Sequence, residues 1–173
     1  MIAGLNTNLL SFDNQDDPKN LAFGARQLQQ AIHSQPRDSL LLVLQHHPPG
    51  WLVDGSKLCA MLQDRAHVLF CGHVHEQGGL LSNPLHGGAR LELVAGAGHV
   101  DPCYPPDHAY AWGRLSPDGL DYFPRTWNQK QHGFVPDRNS FKGMKQNGAV
   151  SITSKRLPEA LRNWLSGDHR SLA

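Results

Sequence analysis

The stretch that decides the fold is residues 41–51, LLVLQHHPPGW. Four apolar residues at its start predict a buried strand, and His46 and His47 follow directly after that strand. Residues 67–76, HVLFCGHVHE, repeat the arrangement, because a second apolar run is followed by two further histidines. Continuous apolar strands are typical of a sheet that is covered on both faces. The sequence therefore predicts two buried strands, each with histidines at its carboxyl end.

Helical patterns separate these strands. Residues 19–33 carry apolar side chains at spacings of four, three and four, which is typical of an amphipathic helix, and residues 56–65 predict a second helix. A short strand at residues 1–7 precedes both helices, so the order is strand, helix, strand, helix, strand. This alternation favours the α/β class. After residue 75 only short strands and turns rich in Gly, Pro, Asn and Asp follow, which predicts a mixed sheet completed by hairpins.

The chain divides into three segments on composition. Residues 1–136 carry the strand and helix patterns and predict one domain. Residues 137–156 are interpreted as a basic flexible linker, because five cationic residues and no acidic residue lie between Asp137 and Glu159. Residues 157–173 predict a short helical tail.

Charge and apolar patterning exclude several classes of partner. With 173 residues, 18% charged residues and a formal net charge of +1, no overall field draws the chain to nucleic acid or to an anionic membrane. The longest apolar run is shorter than the roughly 20 residues of a membrane span, and the first residues lack the features of a signal peptide. Three cysteines without a CxxC pair argue against a disulfide framework and a thiolate zinc site. A cytoplasmic protein without membrane or nucleic-acid partners is expected.

The histidines predict a metal site. Sheets of this class gather ligands at the carboxyl ends of their strands, where both histidine pairs lie. On an extended backbone His73 and His75 would project to the same side, with Cα atoms about 7 Å apart. Either pair alone is also compatible with a polar strand end, since the chain has 11 histidines. Asn6 and Thr7 can line the same site, but capping of a turn is the favoured interpretation.

Three motifs carry a resemblance to a known family. The segments GLNT, LLVLQHHPP and LFCGHVH, in this order within residues 1–125, resemble the later sequence blocks of the calcineurin-like metallophosphoesterases. The resemblance implies half of a four-layer α-β-β-α sandwich, and a pair of divalent metals (Mn, Fe, Zn or Ni) that hydrolyses phosphoesters. It further implies that His46 and His73 bind one metal and His75 the other. His47 would be the catalytic residue beside them, facing the substrate or supporting the ligands.

The departure from that family is large. Its earlier Asp-x-His and Gly-Asn-His blocks are absent, and the Gly-Asp pair at residues 167–168 lies in the tail without a preceding strand. No carboxylate is therefore supplied to screen the repulsion between two cations. We expect an incomplete part of a catalytic domain, truncated or split, with the missing N-terminal half as a separate or fused partner. The resemblance of the HHPP form implies that its phosphoester substrate is a phosphodiester. The alternative is a non-catalytic remnant or interaction module that binds one metal or none.

Overall fold

A computed structural model of the protein describes residues 1–12, 17–36, 41–63, 65–75, 77–82, 90–98, 108–153 and 159–167. Nine strands are named in these ranges: β1 Ile2–Leu5, β2 Leu42–Gln45, β3 Val68–Cys71, β4 Gly78–Ser82, β5 Arg90–Val94, β6 Ala109–Ser116, β7 Gly119–Asn128, β8 Gly133–Pro136 and β9 Val150–Thr153. The helices named there are α1 Ala25–His33, α2 Gly55–Gln63 and α3 Glu159–Ser166, with a 3-10 turn at Pro49–Trp51.

The first sheet has five strands in the order β1-β2-β3-β5-β4. Strands β1, β2, β3 and β5 are parallel, and β4 is antiparallel to β5. The register aligns Gly4, Leu44, Phe70 and Leu93 across the four parallel strands. Because β2 and β3 are parallel neighbours, their carboxyl ends meet at one edge of the sheet. The predicted α/β class, with a mixed sheet and antiparallel hairpins, is confirmed at this level.

The second sheet is built around the long strand β7. Strand β6 pairs with β7 along its whole length, from Ala109 opposite Thr126 to Ser116 opposite Gly119. Strands β8 and β9 both pair antiparallel with β7, β8 near its carboxyl end and β9 near its amino end. β7 is therefore the strand that holds this sheet together.

Apolar residues of α1 and α2 cover one face of the first sheet. Leu28 of α1 and Leu58 of α2 are fully buried in the same cluster as Val43 of β2 and Leu69 of β3. The two strand residues alternate with neighbours that face the opposite side, as the pleat requires. None of the helices in the described ranges is long and apolar enough to cross a membrane.

The second sheet packs on the opposite face of the first. Val68 and Leu91 share a buried cluster with Leu120 and Tyr122 of β7, and Leu161 of α3 joins it. Both faces of β3 are thus covered, which is the reason that its sequence is continuously apolar.

The start of α1 differs from the prediction over residues 19–33. The helix begins at Ala25, while Leu21 forms a parallel bridge with Leu52 and is fully buried. The Val53 amide donates a hydrogen bond of 2.7 Å to the Leu21 carbonyl. Leu21 is therefore buried by its contact with the segment at Leu52. Its spacing from Ala25 matches a helix, although Leu21 itself is not helical.

The structure also differs from the predicted linker at residues 137–156. Residues Val150–Thr153 form β9 on the second sheet, and Phe141 and Ile152 pack against its buried cluster. The Arg138 guanidinium donates hydrogen bonds to backbone carbonyls in the same segment. Arg138, Lys142 and Lys145 are exposed, and residues 154–156 of the predicted linker lie outside the described residues. In the predicted tail α3 spans Glu159–Ser166, and residues 157–158 and 168–173 lie outside the described residues.

A buried histidine joins the starts of β2 and β3. His67 is 8% exposed, its amide donates to the Leu41 carbonyl, and the Leu41 amide donates to His67 Nδ1 at 2.9 Å. Burial, followed by the charge of Arg65, lowers the pKa of His67 below 6.5. Because Nδ1 accepts a hydrogen bond, its protonation would also break that bond.

The free energy of unfolding is therefore expected to decrease as the pH is lowered below about 6.5. In the window between the lowered folded-state pKa and the ordinary value of 6.5, the unfolded chain binds a proton that the folded protein excludes. Stability is thus complete above pH 6.5 and is lost as the pH falls towards the folded-state value. Urea unfolding of the metal-free protein between pH 5 and pH 8 measures this slope.

Two variants assign part of the slope to this histidine. His67→Asn offers Oδ1 as acceptor for the Leu41 amide and does not titrate, so we expect a shallower slope. His132→Asn is the control, because His132 is exposed and its φ of 47° suits asparagine. An unchanged slope in His67→Asn would show that His67 does not carry the effect.

Candidate metal centre

Three histidines converge at the carboxyl edge of the first sheet. His46 and His47 follow β2 directly, and His73 lies two residues beyond the end of β3. One ring nitrogen from each of the three residues lies within 4.8 Å of those of the other two. The predicted convergence of imidazoles from neighbouring strands is therefore present for His46 and His73, with His47 as the third member of this histidine cluster.

The spacing within the histidine cluster suits a shared cation. His73 Nδ1 and His46 Nε2 are 3.0 Å apart. Two nitrogens that each lie about 2.1 Å from one tetrahedral metal are separated by about 3.4 Å, so the two rings would move apart by a few tenths of an ångström to bind it. Without a cation, the same separation requires a proton between the two nitrogens. The two rings are therefore arranged to share either a proton or a metal ion.

Thr7 fixes the orientation of His47. Its side chain is 1% exposed, and its Oγ1 lies 3.0 Å from His47 Nδ1 and accepts a hydrogen bond from the His47 amide at 3.2 Å. When Nδ1 of His47 carries the proton, it donates to Thr7 and leaves Nε2 with a lone pair for a cation. Thr7 follows β1, the strand next to β2. The sequence favoured a turn-capping role for Thr7. In the structure its hydroxyl instead bonds to His47 and supports the histidine cluster.

Trp51 borders the histidine cluster, a position that was not predicted from the sequence. It ends the 3-10 turn that Pro48 and Pro49 initiate, and its ring centroid lies 4.3 Å from that of His73 in an edge-to-face arrangement. It lies 5.8 Å from the His47 ring. Proline fixes φ at the first positions of such a turn, so the PPGW motif itself places an aromatic ring one turn after the histidines. Trp51 thereby restricts the position of the His73 ring.

The backbone beyond β3 is not extended, so the basis of the predicted same-side arrangement of His73 and His75 is wrong. His73 has a φ of 70° and His75 a φ of 61°, both in the left-handed region. The Val74 amide donates to the Gly72 carbonyl at 2.9 Å, which encloses His73 in a γ-turn of the rare, strained type. His75 is exposed and lies outside the histidine cluster. Strain of this kind concentrates at functional sites.

The histidine cluster favours neutral imidazoles. Burial is the largest cause that lowers the pKa of His47, followed by the neighbouring His73 and His46. Burial likewise lowers the pKa of His73, followed by His46 and His75. The carboxylate of Asp17, which is 3% exposed, opposes both shifts. Neutral imidazole is the form that coordinates a metal, so these shifts keep the nitrogens available at lower pH.

Replacement of Thr7 by valine is expected to weaken metal binding about 10- to 100-fold, the usual effect of removing a group that orients a ligand. Valine keeps the shape of threonine but leaves the buried His47 amide without its acceptor, at a cost of about 1–3 kcal/mol in stability. Isothermal titration calorimetry with Zn²⁺ or Co²⁺ measures the affinity. Thr7→Ser keeps the hydroxyl and should retain most of the affinity. Equal affinities for the valine and serine variants would exclude the proposed orienting role.

The donor set of the histidine cluster has a definite chemistry. Three imidazoles suit Zn²⁺ and other late first-row divalent metals rather than Ca²⁺ or Mg²⁺, and no carboxylate belongs to the cluster among the described residues. The donor types thus fit one divalent cation, which would draw together any two nitrogens that lie more than about 4.2 Å apart. Comparison of the chain with protein-family models finds no match, and a search of curated proteins also finds none. The geometry of the three histidines is therefore the basis on which a function is assigned.

Proposed function

We propose that this chain contributes the histidine side of a metal-dependent phosphoester hydrolase. In this proposal His46, His47 and His73 bind one divalent cation, and the domain is half of a four-layer α-β-β-α sandwich. The observation that carries the proposal is the convergence of three ring nitrogens within 4.8 Å at the carboxyl edge of two parallel strands. This is the edge at which α/β sheets bind their ligands.

Each residue has a defined part in this proposal. A bound divalent cation supplies Lewis-acid stabilisation of the charge that develops on phosphoryl oxygens. His46 and His73 hold it, Thr7 orients the ring of His47, and Trp51 covers one side of His73. His75 keeps its predicted role as a ligand of a second cation. Its influence on the pKa of His73 supports a position close to the histidine cluster.

A second cation needs a carboxylate that the histidine cluster does not include among the described residues. Two dications at short range repel each other strongly unless an anionic ligand bridges them. The proposal therefore includes a partner, the N-terminal half of the domain as a separate or fused polypeptide, which brings the acidic ligands. The phosphoester substrate is expected to be a phosphodiester.

Hydrolysis of bis(4-nitrophenyl) phosphate with Mn²⁺, Zn²⁺ or Ni²⁺ tests the proposal, with and without a polypeptide that carries the acidic blocks. We expect metal-dependent release of nitrophenol that His73→Gly abolishes. His132→Asn, which changes an exposed histidine away from the cluster, should leave the rate unchanged. Hydrolysis that survives His73→Gly would overturn the proposal.

The second candidate is a non-catalytic module that binds one metal. The all-histidine composition of the cluster favours it, since one cation needs no bridging carboxylate. Binding of one equivalent of metal, together with no hydrolysis even when the acidic polypeptide is supplied, would establish this second candidate.

A further inference from the structure

An apolar cleft of about 250 Å³ lies between the two sheets. Phe70 and Leu93 of the first sheet and Ala111 and Leu115 of the second are among its lining residues. Phe70 is 36% exposed, so the cleft opens to solvent at this ring. The histidine cluster does not use this cleft.

The apolar cleft lies on the face of the sheet towards which His46 points. Phe70 and Gly72 are two residues apart along β3 and its continuation, which corresponds to about 7 Å. A Cβ atom placed on Gly72 would lie 3.6 Å from His46 Nδ1. Leu44, aligned with Phe70 on the neighbouring strand, is 43% exposed. A continuous apolar surface therefore leads from the cleft to His46.

The size and lining of the apolar cleft suit a small aromatic group. Apolar cavities of about 150 Å³ bind benzene, so about 250 Å³ accommodates a two-ring system. Aromatic walls such as Phe70 and Tyr122 are typical of sites that stack planar rings. Tyr122 adds a hydroxyl to the lining, and burial raises its pKa to about 12, so this hydroxyl stays protonated as a donor.

We propose that the apolar cleft binds the aromatic organic group of an aryl phosphoester whose phosphoryl group lies at the histidine cluster. The inference rests on the proposed function and names its substrate class. The concave space between two sheets and its continuity with the histidines favour a small amphipathic molecule over a protein segment.

Two hydrolysis-resistant probes test the inference by calorimetry in the presence of Mn²⁺: 1-naphthylmethylphosphonate and methylphosphonate. We expect the naphthyl probe to bind at least about tenfold more tightly, because burial of its rings adds apolar contact. Phe70→Ala should remove most of this difference and leave the affinity for methylphosphonate and for Mn²⁺ unchanged. Trp127→Ala is the matched control, because Trp127 lies in the second sheet and does not line the cleft. Equal affinities for the two phosphonates would overturn the inference.

A second variant guards against misfolding of Phe70→Ala, since Phe70 lies in β3 in the middle of the first sheet. Ala111→Leu fills part of the cleft from the lining and should reduce naphthyl binding in the same way. A third probe, 1-naphthalenemethanol without metal, separates the two proposals. If Phe70→Ala abolishes binding of this alcohol, and the naphthyl phosphonate binds no more tightly than the alcohol, the cleft is a ligand site and the proposed function is refuted. Metal-dependent binding of both phosphonates with equal affinity would support the function and refute the cleft.

Discussion

Replacement of His73 by glycine is expected to weaken binding of Zn²⁺ or Co²⁺ by at least about a hundredfold. The substitution removes the nitrogen that lies 3.0 Å from His46 Nε2, and two imidazoles remain to hold the cation. Calorimetry measures the loss of affinity, and the visible absorption of bound Co²⁺ reports the change in coordination.

The same variant separates loss of a ligand from loss of the fold. Glycine adopts a φ of 70° without strain, so the metal-free His73→Gly protein should be no less stable than the native protein in urea. His132→Asn should bind metal with native affinity. A folded His73→Gly protein that retains native affinity would show that the cation is not held at the histidine cluster.

Replacement of Gly55 by alanine is expected to destabilise the fold by about 1–3 kcal/mol, the usual cost of overpacking. A Cβ atom at Gly55 would lie 1.9 Å from the Pro49 carbonyl oxygen, which belongs to the backbone of the 3-10 turn. The turn must move to relieve this contact, and Trp51 moves with it. Urea unfolding measures the stability, and a change in tryptophan fluorescence reports the altered environment of Trp51.

Gly50→Ala is the matched control for this substitution. Gly50 lies in the same turn, and a Cβ atom there would have no neighbour within 4 Å. Its effect on stability should stay within about 0.5 kcal/mol. If Gly55→Ala were as stable as Gly50→Ala, the close contact between α2 and the turn would not constrain the fold.

The sequence was sufficient to predict the two strands that carry the histidine cluster. The observed β3, Val68–Cys71, lies on the second apolar run, and β2 ends one residue beyond the first run at residues 41–44. Both strands are buried on their helix-facing side, and β3 is covered on both faces, so tertiary packing and local pattern agree. Their parallel pairing followed from the helix between them. The approach of His46 to His73 was predictable for the same reason.

The local geometry of the site was not predictable in this way. The alternation rule that placed His73 beside His75 holds only for extended backbone, and the γ-turn at His73 breaks it. Thr7 lies 40 residues from its partner His47, so no local pattern links them. Their contact depends on the pairing of β1 with β2, which sequence periodicity does not encode.

The segment at residues 137–156 shows how charge can obscure a strand. Its cationic residues and glycines favoured a linker, but the β-branched residues of Val150–Thr153 carried the opposite signal. Ile152 packs against the buried cluster between the sheets, so that strand is stabilised by tertiary contacts. In such a segment, composition predicts which side chains are exposed but does not predict whether the backbone forms a strand.

The different ways in which the two sheets are connected have a consequence for folding kinetics. Strands β6 and β7 are joined by two residues, Pro117 and Asp118, and such hairpins form within microseconds. The parallel strands that assemble the histidine cluster must first close long loops, which is intrinsically slow. We expect the cluster to form after the rate-limiting barrier, so a bound cation would chiefly slow unfolding and leave the folding rate almost unchanged.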